Sequence, residues 1–296
     1  MVIPKKKLMI PRTRTQRLLS RSRSSLALLF RKKAPKAGLA ILVGIMLFLI
    51  IGSFVNPYSP YKDSKLLNSP PSPTHIFGTD FLGRDIYSQI VNGAYPSLLV
   101  AVIAALGSVV LGVLAGVFSG YYSRLRGLVG GTGDLIMVFP LLPLLLLIGS
   151  LFVATNLFIA TLLIFVLWPL VARAIRPQAL AISKMPFVQA AKTSGVKDRE
   201  IVMTIVIPQV LSIAIAYFIL NVSLALVLTT ALEFLGVGNP DLVSWGSILY
   251  WAEQFGFLAG AWWWIVFPGT FITLTGMGFA LIGFSLEEVF NPRLRV

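Results

Sequence analysis

Five long stretches of this chain carry no charge at all, and that pattern fixes the solvent in which it folds. Residues 37–61, 86–123, 135–172, 201–232 and 254–286 contain no Asp, Glu, Lys or Arg. A helix that crosses a bilayer needs about 20 mostly apolar residues. Backbone groups in lipid must be bonded internally, so such runs are helices or barrel strands. Barrel strands alternate apolar and polar positions over about ten residues. Leu141–Leu147 and Ala40–Ile51 do not alternate, which selects helices. Only 12% of the 296 residues are charged, about half the fraction of a soluble domain. The expected fold class is an all-α membrane protein, a polytopic bundle of about six transmembrane helices. The spans are expected near 37–55, 97–120, 133–153, 157–173, 208–232 and 263–285. Pro140 and Pro143 should kink the third, and the turn after it rests on Ala154-Thr155-Asn156.

An even number of spans places both termini on one side. With the ends inside, the cytoplasmic segments (1–36, 121–132, 174–207 and 286–296), with Arg173 at the boundary of the third, hold 22 Lys and Arg, and the external segments (56–96, 154–156 and 233–262) hold three. Lys and Arg concentrate on the cytoplasmic side of membrane proteins, so the N-terminus is expected inside, in a cell (inner or plasma) membrane. Twelve of those residues precede the first span. They make residues 1–36 a basic cytoplasmic tail, expected to be disordered, which either anchors topology or binds anionic lipid. The net charge of +14 therefore argues for a membrane surface and not for nucleic acid. The tail and the apolar run after it are too long for a cleaved signal peptide, so 37–55 reads as a retained first helix. The external loop 56–96 is rich in Pro and Ser near its start. Trp262, Trp263 and Trp264 fall where the last span begins, at the headgroup level that indole rings favour. Residues 97–285 form the core, with a cytoplasmic loop at 174–207 and a cytoplasmic C-terminus at 286–296.

Several chemistries are excluded. There is no Cys and a single His, His75, so no thiolate or His-based metal cluster can form. Gly130-Gly131-Thr132-Gly133 lacks the Lys of a phosphate-binding loop, so the chain is not expected to be an enzyme or to hydrolyse ATP. Asp134 sits at the inner edge of the third span, and no charged residue lies at an expected midplane. Proton- and ion-coupled carriers place charges there. A secondary carrier is thus the weaker alternative, and a membrane-embedded hydrolase weaker still.

The most informative segment is the loop between the fourth and fifth spans. Pro186 can open a short helix, where its missing N–H costs little. Gln189, Ala190 and Ala191 give that helix a smooth, small-residue surface. Gly195 can end it, and Asp198 can cap a second helix that runs into the membrane. The result is a helix–Gly–helix elbow that a partner can approach closely.

This segment resembles the cytoplasmic loop of permeases of ABC importers, whose pattern is E-A-A-x3-G-x9-I-x-L-P. Gln189, Ala190, Ala191, Gly195, Ile205, Ile207 and Pro208 hold every spacing, with Gln for Glu and Ile for Leu. A second stretch, His75-Ile76-Phe77-Gly78-Thr79-Asp80-Phe81-Leu82-Gly83-Arg84-Asp85, is similar to H-P-F-G-T-D-x-x-G-R-D of the dipeptide/oligopeptide-type permeases, in the second permease subunit of the pair. Phe234-Leu235-Gly236-Val237-Gly238, Ser244-Trp245-Gly246 and Asn291-Pro292-Arg293 extend that likeness over roughly residues 75–295.

The resemblance implies a type I-like importer fold and a transport path shared with a second homologous permease. It implies two ATPase subunits, which bind the ATP and Mg, and an external substrate-binding protein. No cofactor is implied for this chain. The loop with Gln189, Ala190, Ala191, Gly195, Asp198, Ile205 and Pro208 would couple to the ATPase. Peptide is the implied substrate, with oligosaccharide or a nickel chelate as the alternative. Relatives often carry Glu in the run before F-L-G-x-G, where this chain has Thr229, with Glu233 one turn later on the same face. Both are candidates for the substrate path. His75 reads as a turn residue of the external loop, with a ligand role as the alternative. Asp80, Arg84 and Asp85 either receive a partner or hold their own loop. Ser108, Gly112, Gly116 and Gly120 recur every four residues, which allows close helix packing within the bundle or against a second permease.

Overall fold

A computed structural model describes residues 32–152 and 155–290. The helices are α1 (Lys33–Val55), α2 (Ile86–Tyr121), α3 (Arg126–Val138), α4 (Leu141–Ser150), α5 (Asn156–Ser183), α6 (Pro186–Thr193), α7 (Asp198–Phe234), α8 (Trp245–Trp251) and α9 (Trp263–Phe290). Five of them are long and apolar enough to cross a membrane alone, and α3 with α4 makes a sixth span only as a bent pair. Among the described residues the one β feature is an isolated bridge between Thr79 and Asp85. The all-α, multi-span class expected from the charge-free windows is therefore observed.

The element boundaries differ from the sequence reading in ways that have local causes. α2 begins at Ile86, well inside the segment read as the external loop 56–96, because Asp85 caps it by accepting a hydrogen bond from Ser88 N. α5 runs on to Ser183, through Pro169 and Pro177, and so extends into the segment read as a loop from 174. The third span does not merely kink. It breaks by 87° between α3 and α4, because the residue before a proline is driven out of the helical region and Phe139 is extended (ψ 139°) ahead of Pro140. Pro143 contributes no kink, since it lies in the first turn of α4, where a backbone donor has no partner to lose. α3 itself starts at Arg126, inside the segment assigned to the loop 121–132. α1 starts at Lys33, so the last residues of the basic tail are helical, and Lys32 pairs with Glu288 at the far end of α9. The expectations for residues 1–31 and for Asn291-Pro292-Arg293 lie outside the described residues.

The bundle is organised around α2. A Cβ on Gly112 would stand 2.4 Å from Val171 Cβ, one on Gly116 2.8 Å from Ile175 Cβ, and one on Gly120 2.6 Å from the Arg176 carbonyl oxygen. The small-residue stripe is thus the contact between α2 and α5 within one chain, which is the packing reading of that spacing. At Ser108, the first member of that spacing, α2 instead meets α7: Asn221 Nδ2 donates to Ser108 Oγ at 2.9 Å. Both groups are buried, and lipid supplies no competing partner. α9 joins the bundle by the same device: a Cβ on Gly283 would meet Leu220 at 2.6 Å, and one on Gly38 of α1 would meet the Gly278 carbonyl at 2.7 Å.

Gly116→Leu should therefore destabilise the chain strongly, since overpacking costs at least about 1–3 kcal/mol. Gly131→Leu, at a position where a Cβ meets nothing within 4 Å, should be neutral. Thermal unfolding in detergent, followed by circular dichroism, distinguishes the two.

Candidate functional site

Two polar assemblies stand at opposite ends of the bundle, an elbow after α5 and a cap before α2. The elbow is built from local sequence signals. Pro186 occupies the first turn of α6, where its lack of a donor is harmless. Gly195, with φ +81°, closes the helix: its N–H donates to Lys192 O and that of Val196 to Ala191 O. This is the paired C-terminal capping that a left-handed residue permits. Val188 anchors α6 in the lower core, while Met185, Phe187, Gln189 and Ala190 face outward and Ala191 is half-buried. Gln189 Nε2 donates back to Ser183 O at 2.8 Å, tying α6 to the end of α5.

Asp198 does not act as the expected cap. The N-cap of the next helix is Lys197, and Asp198 occupies the first turn without a capping bond. Its carboxylate instead accepts a hydrogen bond from Tyr121 Oη at 2.5 Å and lies 3.6 Å from Lys192 Nζ. From there α7 runs unbroken for 37 residues into the bundle. A wider π turn at Val202–Val206 contains Ile205 and sits just before Pro208. A proline ring clashes with the carbonyl four residues back, and the widened turn relieves that clash without breaking the helix. Nearby, Asp134 of α3 pairs with Arg173 of α5 at 2.7 Å. They border a cleft of about 130 Å³ that also contains Arg176, Trp168 and Ser119.

The cap contains every residue of the His75–Asp85 motif. His75 is a buried turn residue whose Nδ1 lies 2.9 Å from Asp85 Oδ1. Asp80 Oδ1 accepts from the backbone N–H groups of Leu82 and Arg84, and Oδ2 accepts from Gln89 Nε2. Thr79 Oγ1 donates to Leu66 O and accepts from Ser69 N. Arg84 Nε reaches Asp63 at 2.7 Å. Gly78 and Gly83 both have φ +76°, and a Cβ on Gly83 would lie 2.4 Å from Ser64 O. The charged groups of this motif are thus bonded within their own loop.

Stacked rings fasten the cap to the bundle. Phe77 stacks on Phe267 at 4.1 Å, and Phe81 stacks on Phe255 at 4.3 Å. The three consecutive tryptophans do not form a uniform headgroup belt. Trp262 is exposed, but Trp263 is buried and donates to Thr79 O, and Trp264 is buried beside Phe81. Burial pushes the Asp80 carboxyl above its usual range, against the opposing effect of its backbone and Gln89 hydrogen bonds.

Thr229 and Glu233 are one turn apart in α7 and both buried. Glu233 is an anchor for the segment that follows: its Oε2 accepts from Ser244 Oγ at 2.7 Å, and its carboxylate accepts from Gly246 N. Gly246 is required there, because a Cβ would meet Glu233 Oε2 at 2.3 Å. Glu233 also borders a cleft of about 40 Å³ with Asn239, Ser247 and Tyr250, room for little more than a water molecule. Ser244 and Ser247 form a reciprocal capping box that starts α8. The S-x-x-S spacing is visible in the sequence, but its link to Glu233 is not. Nor does anything in the local sequence pattern of Tyr121 point to Asp198.

The Asp80 environment makes a pH prediction. Its folded pKa is raised, so the folded chain binds the proton more readily than the unfolded one, and this group's contribution to stability grows as pH falls through the folded pKa. Asn at this position keeps an oxygen for the two backbone donors and carries no charge to desolvate, and its Nδ2 can donate to Gln89 once that amide turns over to present Oε1. Asp80→Asn should therefore be at least as stable as the native chain at neutral pH, with the difference shrinking as the pH is lowered. Asp80→Ala, which orphans three donors, should be less stable at every pH. Thermal unfolding across a pH series measures both.

Comparison with known proteins places these features in context. Residues 108–296 match the family described as binding-protein-dependent transport system inner membrane component. The dipeptide transport system permease protein DppC of Bacillus subtilis is 34% identical over 275 residues, covering 90% of this chain and 83% of that protein. The oligopeptide transport system permease protein OppC of Haemophilus influenzae is 32% identical, covering 90% and 86%. The dipeptide permease of Alkalihalophilus pseudofirmus is 31% identical, covering 90% and 88%. A multi-span helical bundle, the elbow after α5 and a family match over well more than half the residues lead to one conclusion: the chain belongs to the binding-protein-dependent transport system inner membrane components.

Proposed function

We propose that this chain is the second permease subunit of an ATP-driven importer of di- or oligopeptides, and that the elbow is its seat for an ATPase subunit. The observation that carries this reading is the outward face of α6. An eight-residue helix outside the membrane spans presents Phe187, 50% exposed, beside the small Ala190, and Met185 just before its first turn is 37% exposed. Apolar side chains exposed on an element held outside lipid mark a surface that a protein covers. The likeness to dipeptide and oligopeptide permeases over nine-tenths of the chain supports the peptide class over sugars or nickel chelates.

In this reading both termini and the elbow face the cytoplasm, in accord with the excess of Lys and Arg there, and the His75–Asp85 cap faces outward toward the substrate-binding protein. Two ATPase subunits bind ATP and Mg. Their closure moves α6, and α7 carries that motion into the bundle because it is one continuous helix from Asp198 to Phe234. A second homologous permease completes the path. ATP shifts the balance between outward- and inward-open states only through different affinities for the two. Glu233 holds the outer end of α7 to α8, so it positions the rim of the path, with Thr229 one turn deeper.

Affinity purification of the tagged chain from mild detergent tests this. The native chain should bring down a second permease and ATP-binding subunits. Ala190→Arg, on the exposed face of α6, should lose the ATP-binding subunits and keep the second permease. Recovery of the chain alone, together with uptake in vesicles that lack ATP, would replace this reading with a secondary carrier.

A further inference from the structure

Three side chains from three elements meet where the elbow touches the bundle. Tyr121 is the last residue of α2, Lys192 lies in the last turn of α6, and Asp198 opens α7. Tyr121 Oη donates to Asp198 Oδ1 at 2.5 Å, and Lys192 Nζ stands 3.6 Å from the same oxygen. Lys192 Nζ also lies 4.4 Å from the centre of the Tyr121 ring, within the range in which a cation is drawn to an aromatic face. Tyr121 is itself braced edge-on against Tyr122 at 4.9 Å. Beneath this triangle Val188, Ile201 and Val202 are buried, with Tyr121, Tyr122 and Ala191 packed around them.

We propose that Tyr121, Lys192 and Asp198 form a latch that fixes the elbow to α2, so that motion of α6 enters the bundle by two routes. One route is α7, which is continuous with the elbow. The other crosses the latch into the end of α2 and from there into α5, because Gly112, Gly116 and Gly120 leave no slack between those helices. The inference rests on the reading of the elbow as the ATPase seat. It assigns positioning roles to Tyr121, which lies outside the elbow, and to Lys192, an unspecified position of the pattern between Ala191 and Gly195. A half-exposed ion pair contributes little by itself. The hydrogen bond joins Tyr121 to Asp198, the ring contact joins Lys192 to Tyr121 and the ion pair joins Lys192 to Asp198, so every side of the triangle is closed, which makes it a joint and not a stray surface pair.

Tyr121→Phe removes only the hydroxyl and keeps the ring that seats Lys192. In the permease alone, hydrogen exchange of residues 186–200 should be faster in Tyr121→Phe than in the native chain. In the assembled transporter in vesicles, the ATP-binding subunits should still co-purify with Tyr121→Phe, and peptide uptake per ATP hydrolysed should fall by about fivefold or more. Asp198→Asn, which keeps an acceptor for Tyr121 but loses the charge opposite Lys192, should fall between Tyr121→Phe and native. Unchanged exchange at 186–200 would show that no latch exists. Faster exchange with unchanged uptake per ATP, while Ala190→Arg abolishes uptake, would leave the ATPase seat standing and overturn the latch. Loss of the ATP-binding subunits from Tyr121→Phe would make Tyr121 part of the seat and also overturn it. If Ala190→Arg retains both the ATP-binding subunits and uptake, the reading of the elbow falls and the latch falls with it.

Discussion

The close approach of α2 and α5 is the contact on which the rest of this protein depends. Lipid gives helices no hydrophobic reason to associate, so packing must come from surfaces that fit at short range. The glycines of α2 bring its backbone against the α5 carbonyls of Trp168, Ala172 and Arg176. Because α2 also bonds to α7 through Asn221 and Ser108, it is the common wall of the bundle. Its two ends are held differently. At one, Asp85 begins the helix inside the cap, and at the other, Tyr121 meets the elbow.

The two ends of the bundle show two ways of using the same residue types. In the cap, Asp80, Asp85, His75 and Thr79 are buried, His75 bonds to Asp85, and Asp80 and Thr79 bond to Leu66, Leu82, Arg84 and Gln89, so charge serves to fix a loop. In the elbow, Asp198, Lys192 and Gln189 are exposed and bond across elements, so charge serves to join separate helices. A buried network of the first kind rigidifies. In the second kind, half in water, each pair contributes little alone, and the join depends on several contacts together.

Much of this was legible from residues alone because membrane folding has few solutions. The charge-free windows give the helices, and Pro186 and Gly195 give the start and stop of α6. The kink expected at Pro140 is a full break of 87°, because Phe139 ahead of it leaves the helical region altogether. What else stayed hidden required knowing which elements meet. Asp198 satisfied every local rule for a helix cap and was drawn instead to Tyr121, 77 residues away in sequence. Glu233 reads by spacing as a displaced substrate contact, but its carboxylate is engaged by Ser244 and Gly246 from the next helix. Trp263 and Trp264 carry the composition of an interfacial belt and lie under the cap. In each case tertiary contact overrode a sound local preference.

The central claim is that the apolar face of α6 seats an ATPase subunit. A photo-crosslinking residue placed at Phe187 in cells that express the whole transporter tests it directly, with one at Thr74 in the cap as the control. The account predicts that Phe187 captures an ATP-binding subunit and Thr74 does not. Capture of an ATP-binding subunit from Thr74, with none from Phe187, would invert the topology and contradict the account.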